Sequence, residues 1–189
     1  MIRFCDVFFS LLGLIVLSPI FVIIALCIVL DSRGGVFYRQ VRVGRGGQDF
    51  RLFKYRSMAS GADKKGLITV GAKDSRVTRI GYFLRKYKLD ELPQLLNVVR
   101  GEMSLVGPRP EVRKYVDMYT VEQRKVLAVA PGITDYASIE YADENTILGQ
   151  ASDPDRAYVE QIMPDKIRYN MKYINNRCLK EYFKIIFLT

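Results

Sequence analysis

The apolar and polar positions divide the chain into one long uncharged run and a mixed remainder. Val7 to Leu30 carries no charged residue, and one straight helix of that length would reach about 36 Å, enough to cross a bilayer. Asp31-Ser32-Arg33 closes the run without a small-residue cleavage site, and the run is too long for the apolar part of a signal peptide. Ser18-Pro19 interrupts it. Proline brings no amide donor and clashes with the preceding turn, so a kink or break is predicted there. A kinked span would carry the following domain across the membrane from Met1; a re-entrant hairpin would return both ends to one face. Arg3 on one flank and Arg33, Arg39 and Arg42 on the other do not choose between them. In the re-entrant case the freed backbone groups need internal partners, and the Ser18 hydroxyl is a candidate.

Beyond the run, Val36–Val43 and Asp49–Tyr55 flank Gly44-Arg45-Gly46-Gly47 and predict a β-hairpin. Ser60–Asp74, with three glycines, predicts a loop. In Ser75–Tyr87, the apolar residues Val77, Ile80, Phe83, Leu84 and Tyr87 recur at helical spacing among Arg76, Arg79, Arg85 and Lys86. That pattern predicts a basic amphipathic helix, lying either on the core or in a membrane interface. Leu92, Leu95, Leu96 and Val99, stopped by Gly101, predict a helix from Glu91 to Arg100, with a strand after it. Ser152–Pro164 reads as a polar loop before a helix from Asp165. Leu179–Leu188 is apolar enough to pack on the domain or to lie on lipid.

Charge and composition narrow the chemistry. The net charge of +9 favours anionic partners: nucleic acid, phospholipid head groups or phosphorylated metabolites. Histidine is absent, which excludes Ser-His-Asp and Cys-His nucleophile systems and His-ligated zinc. Cys5, Cys27 and Cys178 form no CxxC pair and read as reduced structural residues. The run Arg39, Arg42, Arg45, Arg51, Lys54 and Arg56 reads as a solvated basic face, with Lys54 and Arg56 set apart by their place at a strand end.

Asp90 and Glu91 stand at the predicted helix start. As structure, Asp90 is an N-cap, Glu91 favours the helix dipole and Pro93 suits the first turn. As chemistry, a carboxylate held ionised there beside free amide donors could attack phosphorus, and the adjacent pair offers oxygen ligands to Mg²⁺. Arg109 sits between Pro108 and Pro110, well placed for a planar contact with phosphate oxygens or simply filling a turn. Asp143 and Glu144 could contact sugar hydroxyls or be solvated loop carboxylates.

Asp74-x-Arg76-x-Thr78-Arg79-x-Gly81-x-x-Leu84-Arg85, followed by LDELPQLLNVVRGEMSLVGPRPE, resembles the catalytic domain of the bacterial sugar transferases, the monotopic polyprenyl-phosphate phosphoglycosyl transferases. The resemblance also takes in the Ser18-Pro19 break, Lys54-Tyr55-Arg56-Ser57-Met58 and Pro131-Gly132-Ile133-Thr134, and it is to the minimal form, without the domains preceding this unit in larger relatives. It implies an α+β fold: a re-entrant membrane helix over residues 1–32, and a catalytic domain with interfacial helices over 33–189, on the cytoplasmic face of the bacterial inner membrane.

The resemblance implies that Asp90 attacks the β-phosphate of a UDP-sugar and releases UMP. Polyprenyl phosphate then takes the sugar phosphate from the aspartate, the first membrane step of bacterial glycoconjugate assembly. Glu91 would share in catalysis, with Mg²⁺ near both carboxylates; Arg109 and Arg85 would bind phosphate, and Lys54 and Arg56 would be basic site positions. The partners implied are a UDP-sugar, polyprenyl phosphate and the phospholipid membrane, with no nucleic acid. Asp135-Tyr136-Ala137-Ser138-Ile139 departs from the Gly-Leu-x-Gln-Val of many members, which bears on sugar or nucleotide specificity. A non-catalytic membrane-anchored basic module, binding acidic lipid or nucleic acid, explains the charge and the apolar run but gives Asp90, Glu91 and Arg109 no task.

Overall fold

In a computed structural model of the chain, residues 1–59, 61–62, 74–141 and 143–189 are described. The predicted loop Ser60–Asp74 therefore lies outside the described residues except at Gly61, Ala62 and Asp74. The Ser18-Pro19 interruption divides the apolar run into α1 (Ile2–Val16) and α2 (Ser18–Asp31), bent by 62°. Pro19 has no amide to give the Ile15 carbonyl, and the Ser18 hydroxyl donates to that carbonyl at 2.8 Å in its place. Among the described residues no single helix is long and apolar enough to cross a membrane, although the bent pair passes the same test together. Phe4, Ile15, Ile23, Leu26 and Leu30 are exposed along the pair, a continuous apolar surface of the kind that marks a membrane or partner contact.

Both ends of the bent pair are held by one domain. Arg3 donates to the carbonyls of Val98 at 2.6 Å and Val99 at 3.0 Å. Asp6, buried, accepts from the Ser104 hydroxyl and the Leu105 amide, both at 2.9 Å, and from the Tyr182 hydroxyl at 2.8 Å. At the far end Arg56 donates to the Ser32 carbonyl at 2.8 Å, the Ser32 hydroxyl at 2.7 Å and the Gly35 carbonyl at 2.6 Å. Ile24 and Ile28 of α2 pack on Tyr55 and Leu84.

The predicted hairpin is present as antiparallel β1 (Phe37–Val43) and β2 (Asp49–Tyr55), paired from Phe37–Tyr55 to Val43–Asp49. Gly46 and Gly47 take positive φ at its turn, where a side chain would be strained. The basic helix α3 (Arg79–Lys86) starts later than its pattern predicted, because the Thr78 hydroxyl caps it by accepting the Gly81 amide at 2.9 Å. It buries Leu84 and leaves Tyr82, Phe83 and Tyr87 exposed.

The predicted Glu91–Arg100 helix is two pieces. Leu89–Glu91 is a 3₁₀ turn entered through Lys88 at φ 57°, and α4 (Gln94–Arg100) begins after Pro93. Asp90 caps neither by a side-chain hydrogen bond. Pro93 at the start of α4 pre-sets its φ, so no acidic cap is needed there. Gly101, at φ 88°, ends α4 as predicted.

Strand β3 (Ser104–Val106) pairs in parallel with β4 (Gly132–Thr134), so the described strands form two small two-stranded sheets among helices, a mixed arrangement compatible with α+β. Short α5 (Arg113–Val116), α6 (Tyr136–Glu140) and α7 (Glu144–Gln150) connect these to the C-terminal helices.

The predicted loop Ser152–Pro164 is instead mostly helical. α8 (Pro154–Ala157), capped by Asp153, runs through a π turn at Tyr158–Ile162 into α9 (Met163–Asn175). Pro164 lacks the amide that would bond Glu160, and the wider π turn falls where that ladder is interrupted. α10 (Leu179–Leu188) buries Tyr182 and Ile185 in the domain while Phe187 and Leu188 stay exposed.

Removing the carboxylate that ties α1 to the domain, by Asp6→Ala, is expected to cost about 2–4 kcal/mol, since three buried donors lose their acceptor. Thermal unfolding of detergent-solubilised protein checks this, and an unchanged midpoint would show that α1 docks by apolar packing alone.

Candidate active site

Three separate stretches converge on one carboxylate. Lys54 lies near the end of β2, Glu91 closes the 3₁₀ turn, and Arg109 follows β3. Lys54 Nζ donates to Glu91 Oε1 at 3.0 Å; Arg109 grips the same carboxylate with both terminal nitrogens, NH1 reaching Oε2 at 3.1 Å. Two arrangements bring these stretches together. Asn97 of α4 sews itself to β2: its Oδ1 accepts the Phe53 amide at 2.9 Å and its Nδ2 donates to the Arg51 carbonyl at 2.8 Å. Beside β4, Gly107 and Gly132 pass so close that a Cβ on Gly132 would lie 2.1 Å from the Gly107 nitrogen, so only glycine lets the two backbones cross.

The backbone amide of Arg109 donates to Asp135 Oδ2 at 3.0 Å, and Asp135 Oδ1 caps α6 by accepting the Ser138 amide at 2.6 Å. Arg42 donates to the Pro110 carbonyl at 3.0 Å and to Glu111 at 3.2 Å. The Pro108-Arg109-Pro110 corner is therefore held from both sides.

Asp90 is buried beside this cluster, and among the described residues its carboxylate has no hydrogen-bond or ion-pair partner. Burial pushes its carboxyl above the usual range, opposed chiefly by the charge of Lys54, with Glu91 adding to the rise and Arg85 and Arg109 drawing it down. An aspartate held ionised by a helix start is therefore not what the structure contains. Burial also opposes ionisation of Glu91, but Arg109 and Lys54 outweigh it and hold Glu91 well below the carboxylate range. Burial lowers Lys54 despite Glu91, and Glu91 raises Arg109.

Of the residues expected at the site, Lys54, Asp90, Glu91 and Arg109 meet, and Arg85 acts on Asp90 through its charge. Arg56 is elsewhere, closing the C-terminal end of α2. Ser18 and Pro19 form the bend between the two apolar helices. Glu144 pairs with Lys166 at 2.8 Å, and Asp143 is exposed.

Asn97, Asp135 and Arg42 were not singled out by the sequence. Asp135 carried a signal, a carboxylate beside Pro131-Gly132-Ile133-Thr134 at a point of departure from the family pattern; Arg42 was hidden in a basic run.

Among the described residues no group of three or more Cys, Asp or Glu side chains is assembled to hold a metal ion. Both Glu91 oxygens are engaged by cations, whereas Asp90 is open. Asp90, with Glu91 beside it, is the carboxylate pair that would hold Mg²⁺ together with phosphate oxygens, Glu91 through the lone-pair capacity its cations leave free.

Residues 1–189 match the model of the family described as bacterial sugar transferase. The chain belongs to that family. A UDP-N-acetylgalactosamine-undecaprenyl-phosphate N-acetylgalactosaminephosphotransferase of Aeromonas hydrophila is 36% identical over 99% of this chain and 42% of its own length. A UDP-glucose:undecaprenyl-phosphate glucose-1-phosphate transferase of Klebsiella pneumoniae is 38% identical over 99% of this chain and 38% of its own length. A putative undecaprenyl-phosphate N-acetylgalactosaminyl 1-phosphate transferase of Bacillus subtilis (strain 168) is 43% identical over 64% of this chain and 67% of its own length. The chain thus spans about two fifths of the Aeromonas and Klebsiella relatives.

The Asp135 contact to the Arg109 backbone generates a direct test. Asp135→Ala is expected to destabilise the protein by about 2–3 kcal/mol, through the loss of a helix cap and a buried acceptor. Asp135→Asn, which keeps an acceptor oxygen, is expected to recover about half of that loss in thermal unfolding.

Proposed function

We propose that the chain carries the catalytic unit of a transferase that moves sugar 1-phosphate from a UDP-sugar to polyprenyl phosphate, releasing UMP. The observation that carries this reading is the unpartnered Asp90 carboxylate, buried beside two cations that Glu91 holds in place. The names of the relatives agree with it.

In this mechanism Asp90 attacks the β-phosphorus, and the bond from that phosphorus to the oxygen bridging the two phosphates breaks. UMP leaves with that electron pair, and the sugar phosphate remains on the aspartate. An oxygen of polyprenyl phosphate then attacks the same phosphorus, the aspartyl–phosphorus bond breaks, and Asp90 returns as a carboxylate. A buried carboxylate gives up little solvation as it attacks, which suits a nucleophile. Lys54 and Arg109 stabilise the charge on the phosphoryl oxygens, and Glu91 keeps both from swinging onto Asp90. A Mg²⁺ ion held by Asp90 and Glu91 with substrate phosphate oxygens would supply further charge neutralisation there.

We further propose that the bent helix pair enters the membrane from one face and returns to it. Its apolar surface and the attachment of both ends to one domain support this arrangement. It places the site where a soluble nucleotide sugar can meet a lipid phosphate.

The leaving group tests the reaction. Purified protein given a UDP-sugar, Mg²⁺ and polyprenyl phosphate is expected to release UMP, and release of UDP would overturn the proposal. Asp90→Asn is expected to lower turnover by about a thousandfold or more and to abolish the sugar-phosphate adduct seen by intact mass; near-normal turnover would exclude Asp90 as nucleophile. Because Lys54 holds the Asp90 carboxyl down, Lys54→Met should raise it. The acid limb of kcat/KM, where the nucleophile is lost by protonation, should then move to higher pH; a limb that stays or moves down contradicts this role for Lys54. In protein freed of Cys5, Cys27 and Cys178, thiols introduced at Ile2 and Arg33 are expected to label from the same side of a sealed vesicle, and opposite-side labelling would replace the hairpin by a span.

A further inference from the structure

A narrow cleft of about 40 Å³ continues from Arg109 but does not include Lys54, Asp90 or Glu91 among its lining residues. Arg109 thus belongs both to the carboxylate cluster and to the cleft. The walls are mixed, with Val126, Leu127, Met163 and Ile167 supplying apolar surface. Most of the charged groups there are already engaged. Glu111 accepts from Arg42, from the Tyr158 hydroxyl and from the Val112 amide, and Lys166 is paired with Glu144.

Asn170 is the exception. It lines the cleft from α9, is 5% exposed, and its Oδ1 is buried with no hydrogen-bond partner among the described residues. A buried amide oxygen left unpaired is costly and uncommon, and this one belongs to a residue of the cleft wall.

We infer that this cleft is the nucleobase subsite and that Asn170 reads the imide edge of uracil. The inference rests on the UDP-sugar reading given above. Uracil presents an N–H donor flanked by two carbonyl oxygens, and a carboxamide presents an acceptor beside a donor, so one side chain satisfies that edge with two hydrogen bonds. The flat faces of the ring suit the apolar part of the walls. A sugar would need several free polar groups for its hydroxyls, and Glu111 and Lys166 are taken. Arg109 then stands between base and reacting phosphate, the order that a nucleoside diphosphate chain requires.

Binding of UMP and of inorganic pyrophosphate to lipid-nanodisc protein, measured by calorimetry for wild type and Asn170→Ala, tests the assignment. The variant is expected to bind UMP about tenfold or more weakly, the loss of two neutral hydrogen bonds, with pyrophosphate binding unchanged. Equal weakening of both, or no change in UMP, overturns it. So does an unchanged UMP affinity combined with altered discrimination among UDP-sugars, which would make the cleft the sugar pocket.

Photocrosslinking of wild-type protein with 4-thiouridine 5′-monophosphate is independent of any folding defect in the variant. The adduct is expected on the peptide Tyr158–Asn170, and an adduct confined to another part of the chain overturns the assignment. Wild-type protein that binds no UMP at all would refute the UDP-sugar reading itself, whereas UMP binding with the adduct elsewhere would refute only the place of the base.

Discussion

The site depends on one carboxylate serving two cations. Glu91 is gripped by Arg109 and bonded by Lys54, and partly burying three charged groups together is tolerable because they compensate one another. Each partner arrives from a different stretch, so the triad requires the backbone around it to be fixed. Asn97 fixes the β2 side by taking up backbone groups of Arg51 and Phe53. Gly107, Gly132 and Asp135 fix the Arg109 side. Glu91 takes the direct contacts of both cations, and Asp90, adjacent in sequence, has no direct partner among the described residues.

The same small elements hold the apolar helices. Arg3 reaches the C-terminal carbonyls of α4, whose Asn97 aligns the site with β2, and Asp6 reaches β3, which leads into Arg109. Arg56, one step beyond Tyr55 at the end of β2, closes α2. Helices and site are consequently one mechanical unit, with contacts that pass from the apolar pair to the reacting groups through single side chains. Placing polar anchors at both ends leaves the exposed middle of the pair free to be apolar apart from Ser18, whose hydroxyl is spent on the Ile15 carbonyl.

Much of this plan was legible in the residues. The uncharged run, its break at Ser18-Pro19, the hairpin around the glycines and the meeting of Lys54, Asp90, Glu91 and Arg109 all followed from local pattern or from the resemblance. What was not legible has a common cause: these residues act through partners distant in the chain. Nothing near Asp6 shows that Tyr182 will donate to it, and nothing near Asn97 shows that strand β2 needs its amide. Arg56 looked like Lys54, two residues away, and strand alternation alone would put both on one face, but β2 ends at Tyr55 and Arg56, just beyond it, is drawn to the Ser32 and Gly35 carbonyls after α2. The segment Pro154–Pro164 was misread as a loop because its residues are polar, whereas the Asp153 cap starts a helix there and a π turn carries it past Pro164 into the helix expected from Asp165.

The reading of Asp90 as a helix cap failed in a way that clarifies the chemistry. A cap would hold the carboxylate low by amide hydrogen bonds, and those bonds would have to be broken or weakened as its oxygen attacked. In the proposed mechanism a buried carboxylate without such bonds starts from a less stabilised anion, so less is lost on the way to the bond with phosphorus. The cost of that exposure to a dry environment is offset by Lys54, Arg85 and Arg109, whose charges act from nearby without a direct contact. Glu91 uses only part of the hydrogen-bonding capacity of its cations: the Nε of Arg109, the outer N–H groups of its terminal nitrogens and two of the ammonium protons of Lys54 remain. In the proposed reaction an incoming diphosphate could therefore be held without dismantling the triad, so cations that position the substrate would not first have to release the carboxylate that positions them.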